Sequence, residues 1–118
     1  VNLATRDLAI AKKIAKEIRE RDGGMPGVKA LGFDLPEKGW AQVSMNLVDF
    51  RKTSPIAAFD AVASRAAAAG VEVAGSELVG LIPKAACPDG FPQRVRLLAW
   101  DPDQVIETRW ERRKAVRS

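Results

Sequence analysis

The chain has 118 residues, with 19 Lys and Arg against 15 Asp and Glu, which gives a formal net charge of +4. This length suffices for one domain with a substantial hydrophobic core. Because there is no histidine and only one cysteine, the chain alone cannot form an ordinary zinc site, a Ser-His-Asp triad, a Cys-His dyad or an internal disulfide. The single cysteine, Cys87, favours a reducing, cytoplasmic setting. No apolar run is long enough to span a membrane.

The first segment has the pattern of a strand end followed by a helix. Residues 1–3 (Val-Asn-Leu) are typical of a strand, and Thr5 is predicted to cap the following helix at its N-terminus. Apolar side chains then recur at steps of three and four residues as far as Ile18, which indicates one buried stripe. Gly23 and Gly24 are expected to end this helix.

The middle of the chain predicts a β-hairpin and a second helix. Residues 28–35 and 40–50 have strand patterns, and the Pro-Glu-Lys-Gly run between them is suited to a turn. Ser54 is a good helix N-cap and is followed by Pro55, which is favoured in a first helical turn. Gly70 is suited to the C-terminal end of this second helix.

The order of the predicted elements indicates the fold class. Residues 71–82 are apolar and β-branched and predict a last strand, so the order is β-α-β-β-α-β. This order predicts an α+β fold, a two-layer ferredoxin-like βαββαβ sandwich with both helices on one face of the sheet. We expect a single domain over residues 1–118, in which residues 1–86 form the core.

The last part of the chain, residues 87–118, is expected to form a loop and an added C-terminal helix. Asp101 and Pro102 have the pattern of a helix start. The final ten residues contain four Arg and one Lys; the simplest interpretation is a solvated basic terminus. An arm that binds phosphate or nucleic acid is the alternative.

One face of the predicted sheet carries a row of uncharged polar residues. Gln42, Ser44 and Asn46 alternate with apolar residues that are expected to face the helices, so they fall on the bare face. They would lie about 7 Å apart and line a groove for an extended polar molecule, although an ordinary solvated face is the alternative. An RNA-binding sheet would carry aromatic residues among basic ones, and this strand has none between Trp40 and Phe50. That disfavours nucleic-acid binding by the sheet.

Several blocks of the sequence are similar to one known family. They are Val-Asn-Leu at 1–3, Leu-Gly-Phe-Asp-Leu at 31–35, Ala-Gln-Val-Ser-Met-Asn-Leu-Val-Asp-Phe at 41–50, Gly-Ser-Glu-Leu-Val-Gly-Leu-Ile-Pro at 75–83, and Asp-Pro-Asp-Gln-Val-Ile-Glu at 101–107. Together these blocks resemble the C-terminal subdomain of the formiminotransferase domain found in glutamate formimidoyltransferases.

The resemblance implies a function and a partner. The family transfers a formimidoyl group from N-formimidoyl-glutamate to tetrahydrofolate, in histidine degradation, and the sheets of its two subdomains face each other across a folate tunnel. Its catalytic histidine belongs to the N-terminal subdomain. We therefore expect an N-terminal partner subdomain, with no catalytic residue and no metal site in this chain. Because the chain begins inside the expected first strand and without Met, we also expect it to be part of a longer protein. Because it lacks the catalytic histidine of the family, we expect it to be inactive alone.

The same resemblance suggests which residues bind. Gln42, Ser44 and Asn46 match a Gln-Val-Ser-x-Asn strand of the family, and Asn2 matches the Asn of its first strand. We expect these four residues to contact folate or the donor substrate.

Two points are left open by the sequence. Ser76 and Glu77 match positions in the last strand of the family, but the pattern does not decide which of them faces the cleft. A non-catalytic ferredoxin-like binding module, which forms a homodimer through its bare sheet face, stands as the alternative function.

Overall fold

The structure is a computed structural model and describes residues 1–19, 23–37, 39–47, 51–79, 82–100 and 104–107. The strands in these ranges are β1 (Asn2–Leu3), β2 (Val28–Leu35), β3 (Trp40–Leu47) and β4 (Val73–Gly75). The helices are α1 (Leu8–Ile18), α2 (Pro55–Ala68) and α3 (Phe91–Arg94), with a 3₁₀ turn at Lys84–Ala86.

The four strands form one antiparallel sheet in the order β2-β3-β1-β4. Because α1 links β1 to β2, and α2 links β3 to β4, each helix connects two strands that are separated by a third. This is the split arrangement expected of a ferredoxin-like fold. The predicted α+β βαββαβ sandwich is therefore confirmed.

Helix α1 has Asp7 as its N-cap, so the prediction of Thr5 is wrong by two residues. The Asp7 side chain accepts a hydrogen bond from the backbone N–H of Ala9 at 3.0 Å, and Thr5 instead accepts one from the N–H of Asp7. The helix also ends earlier than the predicted glycines. The carbonyl of Ile18 accepts a hydrogen bond from the N–H of Met25, so the chain folds back there instead of continuing the helix.

Helix α2 begins and ends as predicted. The Ser54 hydroxyl accepts a hydrogen bond from the backbone N–H of Ala57 at 3.1 Å, and Pro55 is the first helical residue. Gly70 follows the C-cap residue with a φ of +74°, a conformation that glycine adopts without strain.

The predicted hairpin is confirmed, with β2 and β3 paired over eight residues each. The β2 range agrees with the prediction, whereas β3 ends at Leu47. The last three residues predicted for that strand, 48–50, lie outside the described residues. The turn is closed by a hydrogen bond of 3.3 Å from the N–H of Gly39 to the carbonyl of Pro36.

Both helices cover the same face of the sheet. The buried residues of this core come from α1, α2 and the first three strands: Leu3, Ala11, Ile14, Ala15, Ile18, Val28, Ala30, Ala41, Val43, Val62 and Ala66. Strand β2 and helix α1 lie very close together at Gly32, where a Cβ atom would be 2.7 Å from the backbone nitrogen of Lys12 in α1. Only glycine allows β2 and α1 to pack at this distance.

Strand β4 is much shorter than the predicted 71–82. It can pair with only the two residues of β1, and the ladder between them is irregular, so regular pairing stops after Gly75. The chain then changes partner. Ser76 pairs with Leu97, and Ile82 pairs with Val105, both as isolated parallel bridges.

The segment after β4 has its own apolar cluster, which packs against α2. Its buried residues are Phe59, Ile82, Ala86, Phe91, Val95 and Val105. The rings of Phe91 and Trp100 meet edge to face with centroids 6.2 Å apart. An ion pair of 2.7 Å between Arg94 and Asp60 also joins this segment to α2. The predicted loop after residue 86 thus contains α3, and the 3₁₀ turn Lys84–Ala86 directly precedes it.

The predicted C-terminal helix is described only in part. Residues 104–107 are the part that the structure describes, whereas the helix start at Asp101 and the basic tail lie outside the described residues. None of the helices in the described ranges is long and apolar enough to cross a membrane.

Candidate functional site

The face of the sheet opposite the helices is not covered by either helix. We call it the open face, and strand register assigns to it nine residues of β1, β2 and β3: Asn2, Lys29, Leu31, Phe33, Leu35, Trp40, Gln42, Ser44 and Asn46. Along β3 the neighbours of the polar residues, Ala41 and Val43, are fully buried beneath the helices. The predicted orientation of the polar row is therefore observed, and its role in binding stays a prediction.

Strand β2 adds apolar residues to the open face. Directly opposite pairs between the two strands are Phe33–Gln42, Leu31–Ser44 and Lys29–Asn46. Leu31 is 57% exposed and Phe33 is 46% exposed. As the sequence shows, β3 has no aromatic residue on this face after Trp40, but the register places Trp40 itself, opposite Leu35, and Phe33 of β2 on the open face. The sequence alone does not reveal this, because β2 has apolar residues at both parities and only the burial of Val28 and Ala30 decides between them.

Asn2 lies at the centre of the sheet, where it pairs with Gln42 on one side and with Gly75 on the other. The Nε2 of Gln42 donates to the Oδ1 of Asn2 at 2.8 Å, so the structure brings two of the four predicted site residues into contact. Asn2 is completely buried. The side chain of Leu98 lies so close to Gly75 that it would overlap with a Cβ atom at position 75.

Of the two residues that the sequence left open, Glu77 is the one that reaches the open face. Its Oε2 accepts a hydrogen bond from the Nε2 of Gln42 at 3.2 Å. Ser76 is buried and bonds through its backbone to the carbonyl of Arg96 and the N–H of Leu98.

The chemistry of the open face is that of a binding surface. Amide and hydroxyl groups donate and accept hydrogen bonds but do not ionise near neutral pH, so they are suited to orienting a ligand. The thiol of Cys87 belongs to the C-terminal segment, and burial and the nearby Asp89 raise its pKa. Across the residues that the structure describes, no cluster of three or more His, Cys, Asp or Glu side chains could hold a metal ion.

Comparison with known proteins identifies the family. The family model of the formiminotransferase domain matches residues 1–106 of the chain. The chain belongs to this family. The resemblance of the sequence blocks is thus confirmed, and the open face is a surface of a formiminotransferase domain.

Individual relatives agree with the family match. The glutamate formimidoyltransferase of Thermoplasma acidophilum is 41% identical over 112 residues, which are 95% of this chain and 37% of that protein. The same enzyme of Streptococcus pyogenes serotype M1 is 46% identical over 89 residues, 75% of this chain and 30% of that protein. The formimidoyltransferase-cyclodeaminase of Gallus gallus is 43% identical over 93 residues, which are 74% of this chain and 17% of that protein. The chain therefore spans about a third or less of these relatives.

Proposed function

We propose that this chain is the folate-binding half of a formimidoyltransferase that moves the formimidoyl group from N-formimidoyl-glutamate to tetrahydrofolate. The observation that carries the proposal is the open face, where three uncharged polar residues of β3 lie beside two exposed apolar residues of β2. The names of the relatives, which include glutamate formimidoyltransferases, support the reaction. The process would be histidine degradation in the cytoplasm.

The two columns of residues are complementary to different parts of a folate. Phe33 and Leu31 offer an apolar surface for flat rings, and Gln42 and Ser44 offer hydrogen bonds to ring heteroatoms and to the amide. Lys29, at the end of the same pairing, is exposed and would attract a carboxylate of the glutamate tail.

The contribution of this half is to orient its ligand. A bound and correctly placed acceptor lowers the barrier by removing the entropy cost of bringing two reactants together. Proton transfer would depend on the catalytic histidine that the family resemblance assigns to the N-terminal subdomain. That subdomain is the proposed partner, consistent with the small share of each relative that this chain spans.

A chimera provides the test. The aligned part of the Thermoplasma acidophilum enzyme is replaced by this chain, folding is checked by circular dichroism, and formimidoyl transfer is measured against tetrahydrofolate concentration. We expect the chimera to be active. The double substitution Gln42→Ala and Asn46→Ala should raise KM for tetrahydrofolate at least about tenfold, because two hydrogen bonds of roughly 1 kcal/mol each are lost.

The matched control is Gln93→Ala, which removes an exposed glutamine from α3, away from the sheet. It should leave KM unchanged. The proposal fails if the double variant has the KM of the parent chimera, or if the folded chimera does not bind the stable analogue 5-formyl-tetrahydrofolate in calorimetry.

The exposure of Leu31 and Phe33 also favours a second candidate, a dimerisation module that pairs two open faces. Sedimentation equilibrium separates the two candidates. A stable dimer that persists with folate and dissociates on Phe33→Ser supports the module, whereas a monomer at all concentrations excludes it.

A further inference from the structure

A chain of hydrogen bonds links three side chains at the open face. The Nε2 of Gln42 donates to the Oδ1 of Asn2 at 2.8 Å and to the Oε2 of Glu77 at 3.2 Å. Both N–H groups of the Gln42 amide are therefore used, and its Oε1 is the atom left to accept a hydrogen bond. In the described part of the chain, the buried Nδ2 of Asn2 has no hydrogen-bond partner.

The carboxylate of Glu77 can only accept a hydrogen bond, so the Nε2 side of the Gln42 amide faces it. Rotating both amides by half a turn would let the Nδ2 of Asn2 donate to the Oε1 of Gln42 and would leave the Oδ1 of Asn2 without a partner instead. A buried N–H without a partner is rarer in proteins than a buried carbonyl without one, so the rotated arrangement is favoured unless another group opposes it. The same rotation would place that Oε1 against the carboxylate of Glu77. Two oxygens without a hydrogen between them repel each other, so the carboxylate opposes the rotation.

We propose that Glu77 is a positioning residue that sets the polarity of the Gln42 and Asn2 amides. It acts through Gln42, so that the Oε1 of Gln42 is the atom that accepts a hydrogen bond at the open face. This acceptor is complementary to an N–H group of a ligand, as in an amide or a lactam ring. The inference rests on the proposed function, since the ligand in question is the one that the open face binds.

The polarity can be observed directly by NMR on the chain, without any ligand. Glu77→Gln keeps the size of the side chain but gives it an amide that can donate as well as accept, and Glu77→Ala removes the acceptor. Because Glu77 is exposed, we expect both variants to fold. In the parent chain the Gln42 side-chain NH₂ should exchange slowly with water and resonate downfield. In Glu77→Ala, which removes the acceptor, the slowly exchanging hydrogen-bonded NH₂ should be that of Asn2, whereas Glu77→Gln retains an acceptor and should keep part of the Gln42 signal.

Glu72→Gln is the matched control, since it removes an exposed carboxylate five residues earlier in the chain. It should leave both amide signals unchanged. An unchanged Gln42 signal in Glu77→Gln and Glu77→Ala would overturn the proposal.

Ligand binding gives the second measurement. In the chimera described above, Glu77→Ala should bind 5-formyl-tetrahydrofolate about fivefold to tenfold more weakly, the effect of one mismatched neutral hydrogen bond. Glu77→Gln should restore part of the affinity, and parental affinity in Glu77→Ala would contradict a positioning role. If instead Gln42→Ala leaves affinity unchanged, the proposed function fails, while the NMR result still decides whether Glu77 sets the amide polarity.

Discussion

The same strands form two faces of opposite character. On the covered face, Ala41 and Val43 of β3 are fully buried beneath α1 and α2. One residue further along the strand in each case, Gln42 is half-buried and Ser44 is exposed. Because successive side chains of a strand point to opposite faces, a shift of one residue separates packing from solvent contact.

The comparison shows where the sequence is constrained by folding and where it is free to serve a ligand. On the covered face the size of each side chain is limited by the space beneath the helices. Gly32 is the extreme case, because backbone atoms of α1 occupy the position that a side chain would take. Its neighbour Phe33 is on the other face and nearly half exposed, although phenylalanine is usually buried. An exposed apolar residue beside a polar row indicates a contact surface.

The largest expected effect is that of Gly32→Ala. The new Cβ would lie 2.7 Å from the nitrogen and 2.9 Å from the Cα of Lys12, so α1 must move away from the sheet. We expect the free energy of unfolding to fall by about 3 kcal/mol, measured by urea denaturation. Phe33→Ala is the control on the other face and should cost less than about 1 kcal/mol. Equal losses in the two variants would contradict the assignment of faces.

A second pair of substitutions tests the faces in β3. Val43→Ala leaves a cavity under the helices and should lower the free energy of unfolding by about 2 kcal/mol. Ser44→Ala, at the next position, should change it by less than about 0.5 kcal/mol. Thermal unfolding followed by circular dichroism measures both, and a larger loss for Ser44→Ala than for Val43→Ala would show that the parity is reversed.

The covered face could be predicted from the sequence because its signals are local and periodic. The stripe of α1, the alternation in β3 and the Ser54–Pro55 helix start each lie within one segment, and each was correct. The predicted N-cap of α1 was wrong because Thr5 and Asp7 are both good capping residues and only the backbone geometry decides between them.

The features that the sequence did not predict depend on pairing between distant segments. Strand β4 ends after Gly75 because β1 offers too few residues to pair with, which the apolar run at 71–82 does not reveal. Glu77 follows β4 and meets Gln42 of β3 across the two-residue strand β1, so this contact joins segments that are 35 residues apart in the chain. In β2, apolar residues occur on both faces, so hydrophobic alternation alone did not show that Phe33 lies beside Gln42.

A third prediction concerns the apolar column of the open face. The double substitution Leu31→Ser and Phe33→Ser should leave stability nearly unchanged, because both residues are about half exposed. It should raise KM for tetrahydrofolate in the chimera about tenfold, since apolar contact with the ligand is lost. Ile106→Ser, at 42% exposure in the C-terminal segment, is the control and should have no effect on KM. An unchanged KM in the double variant would mean that the ligand does not contact β2.

The smallest expected effect is that of the ion pair between the two covering helices. Arg65 of α2 and Glu17 of α1 are 3.2 Å apart, and both side chains are more than one-third exposed. Glu17→Gln should therefore lower the free energy of unfolding by no more than about 0.5 kcal/mol, and about 1 M NaCl should abolish the difference. Glu72→Gln, with an exposed carboxylate outside the helices, is the control. A loss comparable to that of Val43→Ala would mean that charge, rather than packing against the sheet, holds the helices over the covered face.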